Sequence, residues 1–320
     1  MNTTDKDTAS PHWEREALMK IAQAGLIEQR RARRWGIFFK LLGFGYLFIL
    51  LAVMFAPGRM GESTPATTGP HTALVELNGI IMDGEEGASE TVIRGLRKAF
   101  EDKNAKGVIL RINSPGGSPV QAGLIHDEML RLREKNPNKP LHVVVTDICA
   151  SGGYYAAVAG EQIHVDKASI VGSIGVRMDS FGFVGAMEKL GVERRLLTAG
   201  QNKGLLDPFA PVVPEEKQHI QTMLDQIHGQ FIEVVKTGRG ERLSDNPNLF
   251  TGLIWTGDEA IRLGLADARG SVESVARDVI GAEKLVNVTP KPDVFERVFS
   301  RIGTQVAQSL VSASFVPLPH

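Results

Sequence analysis

The feature that most constrains the fold is a repeated alternation over residues 72–280. Short apolar runs alternate with segments whose apolar side chains recur at helical spacing. Residues 141–150 (LHVVVTDICA) are almost entirely apolar, whereas residues 89–102 (SETVIRGLRKAFED) carry apolar side chains at helical spacing. Strands that alternate with helices in this way form parallel βαβ units, and helices then cover both faces of the sheet. The sequence therefore predicts an α/β domain, in which a further strand is expected over 192–200 (VERRLLTAG).

A second constraint is the run from Trp35 to Ala56, in which Lys40 is the only charged residue. A bilayer core requires about 20 apolar residues as a helix. The RRARR cluster at 30–34 keeps the N-terminus in the cytoplasm by the positive-inside rule. A cleavable signal peptide is the alternative, but its polar leader would be shorter. We predict one uncleaved transmembrane helix, with the rest of the chain on the extracytoplasmic side.

These two features divide the chain of 320 residues. A polar N-terminal segment precedes the apolar run, and a linker rich in Pro, Gly, Ser and Thr follows it. A folded domain and an amphipathic tail complete the chain. The predicted ranges are 1–34 for the cytoplasmic segment, 35–56 for the transmembrane helix, 57–71 for the linker, 72–285 for the folded domain and 286–320 for the tail.

The bulk composition narrows the class of function. Hydrophobic residues make up 42% of the chain, charged residues 23%, and the formal net charge is −1. A nucleic-acid-binding protein would carry a basic excess, so no nucleic-acid partner is predicted. The single cysteine, Cys149, lies inside an apolar run and is predicted to be a core residue rather than a nucleophile. No metal site and no cofactor are predicted.

Ser151 is the first residue with a possible chemical role. It follows the apolar run 141–150 and precedes Gly152 and Gly153. A serine at the start of a helix is commonly an N-cap. The same position suits a nucleophile at a strand end, since the Gly152 N–H can donate to an oxyanion. The sequence by itself leaves these two interpretations open.

The segment 111–119 (RINSPGGSP) ends a strand in a Pro-Gly-Gly turn. Its N–H groups at a helix start either form an oxyanion hole or belong to an ordinary turn. The segment 198–211 (TAGQNKGLLDPFAP) carries Lys203 in a loop with apolar neighbours. This lysine is either a solvated surface residue or a general base. A lysine base needs burial and distance from carboxylates, because the ordinary lysine pKa is about 10.4. Asp207 must then point away.

Histidine is the usual alternative to a lysine base. His142 and His164 lie in apolar, strand-like segments, where a core or edge histidine is the expected role. His126 lies on the polar face of a predicted helix. No histidine stands in a glycine-rich loop at a strand end, so a Ser-His-Asp triad is disfavoured.

Four motifs together resemble the signal peptide peptidase A family, serine peptidases of the crotonase-like and Clp-protease-like superfamily. They are NSPGG at 113–117, SGGYY at 151–155, GSIGV at 172–176 and the NK and DPF elements within 202–209. The resemblance covers nearly all of residues 72–280. It implies the ββα-superhelix fold of that superfamily, preceded by one N-terminal transmembrane helix.

The resemblance also implies a mechanism. Ser151 matches the nucleophile of a Ser-Lys dyad, Lys203 matches its general base, and Ser173 matches the serine that orients the lysine amine. The family members degrade cleaved signal peptides and membrane-proximal peptides as homo-oligomers in the bacterial-type inner membrane, and we expect the same here. The glycines that match the oxyanion donors are Gly152 and one of Gly116 and Gly117.

Two alternatives remain open at this point. A non-catalytic scaffold of the same fold would bind peptides in the same groove. A crotonase-type enzyme would act on acyl-CoA thioesters with carboxylates as acid and base, but the sequence offers no specific support for that chemistry.

Overall fold

A computed structural model describes residues 12–55, 69–85 and 87–290. The chain falls into two compact units that divide at residue 65. Residues 1–11 of the predicted cytoplasmic segment, most of the predicted linker and the tail from residue 291 lie outside the described residues.

The described part of the first unit is one helix, α1 (His12–Phe55), of 44 residues. Its described large apolar side chains, from Trp35 to Ile49, are exposed. The rings of Trp35, Phe38 and Phe39 pack on one another with centroids 5.7 to 5.8 Å apart. Of the helices described here, none combines the length and apolar content that a membrane crossing requires. The transmembrane helix therefore stays a prediction.

The second unit is an α/β domain, as the alternation of strands and helices predicted, and it contains one eight-stranded sheet. The strands are β1 (His71–Asn78), β2 (Ala105–Ser114), β3 (Leu141–Ala150), β4 (Ile163–Val165), β5 (Ile170–Gly172), β6 (Ile254–Thr256), β7 (Ala268–Arg269) and β8 (Leu285–Asn287). The helices are α2 (Ser89–Glu101), α3 (Pro119–Lys135), α4 (Gly152–Ala157), α5 (Val184–Leu190), α6 (Pro214–Arg239), α7 (Gly257–Arg262) and α8 (Val272–Ser274).

The strand order is β6-β5-β3-β2-β1-β8, and β4 pairs with both β3 and β7. All pairs are parallel except β5 with β6, which departs from the parallel sheet that the sequence predicts. Strand β3 is forked: Val143 and Val144 pair with β4, whereas Ile148–Ala150 pair with β5. The register between β2 and β3 shifts just before this second stretch. The fork sets the end of β3 between the ends of β2 and β5.

Helices α2 and α4 pack on the strands, α3 packs on α2 and α4, and the buried side chains of all three belong to one core. Helix α3 begins where the sequence indicates, because Pro119 occupies its first turn and the Ser118 side chain accepts the Gln121 N–H. Cys149 is fully buried in the same core, and burial raises the pKa of its thiol. The prediction of a core cysteine is confirmed.

The predicted strand over 192–200 is wrong. These residues are irregular and exposed. Their β-type side-chain pattern is not sufficient to form a strand, because within the described part of the chain no neighbouring strand pairs with them.

Candidate active site

Ser151 lies between β3 and α4 in an unusual backbone conformation, with φ 51° and ψ −123°. A residue other than glycine pays about 1–3 kcal/mol for such a conformation, and such strain clusters at functional sites. A sharp strand-to-helix turn of this kind presents a serine hydroxyl for attack. The Ser151 side chain makes no capping hydrogen bond to α4 and is half-buried. Ser151 therefore stands at the N-cap position of α4 without capping it through its side chain, and its role as nucleophile stays a prediction.

The Pro-Gly-Gly turn after β2 packs directly against Ser151. A Cβ atom added at Gly116 would lie 2.7 Å from both Ser151 Cβ and Gly152 N, and the φ of Gly116 is +99°. A Cβ atom at Gly117 would lie 2.1 Å from the Ile81 carbonyl oxygen. Real Cβ atoms do not approach so closely, so only glycine allows the turn to reach Ser151 and Gly152.

The hydrogen bonds of this turn distinguish its two glycines. The Gly116 N–H donates to Ser114 Oγ at 3.1 Å, so it is occupied. The N–H groups of Gly117 and Gly152 donate to no acceptor among the described residues. A Cβ atom added at Gly152 would lie 3.3 Å from Gly117 N, so the two free groups are close together. Gly117 rather than Gly116 therefore has a donor available for an oxyanion.

Ser173 lies beside Ser151 because of the strand register. Ala150 and Gly172, the last residues of β3 and β5, are partners, and the Ser151 N–H donates to the Gly172 carbonyl at 2.8 Å. Ser173 has a φ of 54°, and its own N–H donates to the Leu253 carbonyl at 2.7 Å. The two serines thus follow adjacent strand ends.

Lys203 lies in the irregular segment between α5 and α6. Its backbone N–H donates to the Gly200 carbonyl at 3.1 Å. Its side chain is exposed and makes no hydrogen bond or ion pair with any described residue, Ser151 included. The structure therefore brings Ser151, Ser173 and the two free glycine N–H groups together, but it does not join Lys203 to them.

The loop that carries Lys203 is fixed by its neighbours. The Asp207 carboxylate pairs with Arg194 and accepts the Phe209 N–H at 3.0 Å. The Arg194 guanidinium lies over the Phe209 ring, 5.2 Å from its centroid, and Phe183 stacks on the same ring at 5.4 Å. The carboxylate nearest Lys203 in sequence is thus bound to an arginine.

None of the three candidate histidines bonds to Ser151 within the described residues. His142 and His164 are buried with ring centroids 5.7 Å apart. Burial lowers the pKa of both, that of His164 to about 4. His126 Nδ1 lies 2.9 Å from the Asp127 carboxylate, and a cavity of about 340 Å³ that His126 lines does not include Ser151.

Two residues near the site were missed in the sequence. The Ser114 hydroxyl accepts a hydrogen bond from the Pro-Gly-Gly turn. Its position directly before the turn was the one feature of the sequence that could have indicated this role. His228, on α6, lies with Nε2 3.1 Å from the Ile174 carbonyl, next to Ser173. Nothing local marks His228, because α6 is distant in sequence from the strand that it reaches.

The fold and the site together define an α/β protein with a strained serine beside two free backbone donors, an arrangement typical of acyl-transfer enzymes. The sequence pattern of peptidase family S49 matches residues 133–288. A protein of Synechocystis sp. named as a candidate protease is 32% identical over 209 residues, which are 65% of this chain and 72% of that protein. The chain belongs to peptidase family S49, the signal peptide peptidase A family, and the prediction of this family is confirmed.

Two other relatives show how much of the chain is shared. A candidate signal peptide peptidase SppA of Enterococcus faecium is 28% identical over 269 residues, 80% of this chain and 78% of that protein. The Na(+)/H(+) antiporter NhaA of Brucella abortus is 44% identical over 236 residues, 72% of this chain but 32% of that protein. The chain thus matches about a third of the length of the Brucella relative.

Proposed function

We propose that this chain is a serine endopeptidase in which Ser151 is the nucleophile and Lys203 is the general base. The observation that carries the proposal is the strained Ser151, which makes no capping bond and lies beside the free N–H groups of Gly117 and Gly152. Membership of a peptidase family supports the reaction class.

The reaction proceeds in two stages. Ser151 Oγ attacks the carbonyl carbon of the scissile bond while its proton passes to the neutral Lys203 amine. The negative oxygen of the tetrahedral intermediate accepts hydrogen bonds from Gly117 and Gly152. The protonated lysine then gives its proton to the leaving amine, and an acyl-enzyme forms. Water, deprotonated by the same lysine, attacks the ester, and the acid product leaves as the Ser151 hydroxyl is restored. Ser173 orients the lysine amine in this scheme.

The proposed substrates are cleaved signal peptides and other membrane-proximal peptides, and the proposed assembly is a homo-oligomer with the ββα-superhelix fold. We further propose that residues 35–56 anchor the chain in the inner membrane as one transmembrane helix, with a cytoplasmic N-terminus and the peptidase domain outside. The run of apolar residues with one charge supports this anchor. Resistance of the membrane-bound protein to carbonate extraction tests it, and release by carbonate would contradict it.

Ser151→Ala and Lys203→Ala test the dyad directly. Both variants are expected to fold and to lose hydrolysis of a fluorogenic peptide. Matched controls are Ser180→Ala and Lys189→Ala, which remove an exposed serine and an exposed lysine between β5 and α6 and are expected to retain turnover. Normal turnover by either dyad variant would refute its assigned role.

A fluorophosphonate probe separates the enzyme from a non-catalytic scaffold. Such probes phosphonylate an activated serine, so the wild-type protein is expected to carry the adduct on Ser151 and Ser151→Ala to carry none. Absence of an adduct on the wild-type protein at alkaline pH would favour the scaffold, in which peptides bind without cleavage.

A further inference from the structure

Ser114 is the last residue of β2 and is fully buried. Its hydroxyl makes two hydrogen bonds at once. It donates to the Gly79 carbonyl oxygen at 2.6 Å and accepts the Gly116 N–H at 3.1 Å. A buried hydroxyl with both a donor and an acceptor role satisfied has one orientation, so it fixes the two backbone segments that it joins.

The first of these segments is the chain that leaves β1. The Gly79 N–H donates to the Asn113 carbonyl at 2.9 Å, and the Ile81 N–H donates to the Gly116 carbonyl at 2.9 Å. The Ser118 N–H in turn donates to the Ile81 carbonyl at 2.7 Å. The Gly116 N–H, the Gly116 carbonyl and the Ser118 N–H are therefore all hydrogen-bonded. The Gly117 N–H between them is free of any acceptor in the described part of the chain.

Ser114 also touches the other half of the site. A Cβ atom added at Gly153 would lie 3.0 Å from the Ser114 carbonyl oxygen and 3.4 Å from Ser114 Cβ. Helix α4, which begins with Gly152, therefore packs on Ser114 as well. One serine contacts both segments whose free N–H groups face the reacting oxygen in the proposed mechanism.

We propose that Ser114 is a positioning residue for the oxyanion hole. The Gly117 N–H shares its peptide plane with the Gly116 carbonyl, which accepts the Ile81 N–H. The Ser114 hydroxyl holds the preceding peptide through the Gly116 N–H and the chain that leads to Ile81 through the Gly79 carbonyl. It thereby keeps both neighbours of this plane in place, so that the Gly117 N–H stays directed at the oxyanion. Ser114 touches no substrate and transfers no proton. The inference rests on the proposed function, because it assigns Ser114 a role in the same reaction.

Ser114→Ala removes both hydrogen bonds of the hydroxyl. Loss of one oxyanion donor costs about 10²–10³-fold in kcat, and a donor that is loosened but not deleted is expected to cost about tenfold or more. KM is expected to change little, because the oxyanion forms after the substrate binds. The matched control is Ser118→Ala, which removes a hydroxyl from the same loop. That hydroxyl caps α3 by accepting the Gln121 N–H. It is expected to lower stability without lowering kcat.

Inhibitor binding separates positioning from a purely structural role. A peptide boronic acid forms a tetrahedral adduct with the nucleophile and uses the oxyanion hole, so its Ki is expected to rise in Ser114→Ala in parallel with the loss of kcat/KM. Binding of an uncleaved peptide, measured in the Ser151→Ala background with and without Ser114→Ala, is expected to stay the same. If Ser114→Ala does not fold, Ser114→Cys takes its place, because a thiol fills the site but bonds weakly.

The outcomes are distinct. Wild-type kcat and boronate affinity in a folded Ser114 variant, with Ser151→Ala inactive, would overturn the inference and leave the proposed function in place. Full turnover by Ser151→Ala would overturn the proposed function itself.

Discussion

The contact between the Pro-Gly-Gly turn and Ser151 leads to a quantitative prediction for Gly116→Ala. The added methyl group would meet Ser151 Cβ and Gly152 N at 2.7 Å and the Ala150 carbonyl oxygen at 2.8 Å. A residue other than glycine at φ +99° costs about 1–3 kcal/mol, and overpacking adds about 1–3 kcal/mol. The free energy of unfolding is therefore expected to fall by roughly 2–6 kcal/mol, out of a typical total of about 5–15 kcal/mol.

Gly116→Ala is also expected to lower the activity of the protein that still folds. The methyl group pushes the turn away from Gly152, so the Gly117 N–H leaves the oxyanion, at a cost of about 10²–10³-fold in kcat. The assay measures kcat and KM on a fluorogenic peptide, with the folded fraction taken from urea unfolding. Gly123→Ala is the control: this glycine lies in α3 with nothing within 4 Å of an added Cβ. A Gly116→Ala protein with kcat/KM within about threefold of wild type would refute the reasoning.

Three further predictions concern stability and the core. Burial lowers the pKa of His164 from 6.5 to about 4. Between these two pH values the imidazole is protonated in the unfolded chain but neutral in the folded chain, so the folded state loses stability as the pH falls. Relative to His164→Leu, wild-type stability in urea is expected to fall by roughly 3 kcal/mol from about pH 7 to about pH 4, and equal pH slopes would contradict this. Arg239→Met breaks the buried bidentate pair with Asp267, whose bonds are 2.8 and 2.9 Å. The loss in urea unfolding is expected near the lower end of about 3–5 kcal/mol, because Arg242 still pairs with the carboxylate at 3.2 Å. Arg239→Met with Asp267→Leu should recover part of that loss, and an equal or larger loss in the double variant would argue against a cost from the buried carboxylate. Cys149 is expected to react with iodoacetamide only as fast as the protein unfolds, and rapid labelling of the folded protein would exclude its burial.

The sequence is informative about elements whose pattern is local. The apolar run of β3 and the helix start after the Pro-Gly-Gly turn were predicted, because both depend on residues that are neighbours in the sequence. The segment 192–200 has the composition of a strand, but a strand also needs a partner, and a pairing partner is not a local property. The prediction therefore failed where tertiary structure decides.

The same distinction explains the site. Ser151 has the sequence surroundings of both a helix cap and a nucleophile. The structure shows that its side chain does not cap α4, and the nucleophile role stays a prediction. The choice between Gly116 and Gly117 depends on Ser114 and on Ile81, a residue from the loop after β1. No periodicity or spacing within the turn contains that information.

Lys203 raises a question that the substrate itself can answer. A lysine accepts a proton only in its neutral form, which a dry surrounding without free carboxylates favours. The Asp207 carboxylate is bound to Arg194. The Glu216 carboxylate accepts the Leu206 N–H of the same loop at 3.4 Å, and the Lys203 side chain is exposed. An apolar peptide bound over this loop would supply the missing cover.

Apolar residues next to the scissile bond are therefore expected to raise kcat and not only to lower KM. Replacing such a leucine of the substrate by asparagine should reduce kcat at about pH 7 and reduce it much less at about pH 11, where most of an ordinary lysine is neutral. The measurement is kcat and KM for the two peptides across this pH range. If the substitution changed KM alone at every pH, the substrate would be held by its apolar residues without influencing the base, and the cover over Lys203 would have to come from another part of the assembly.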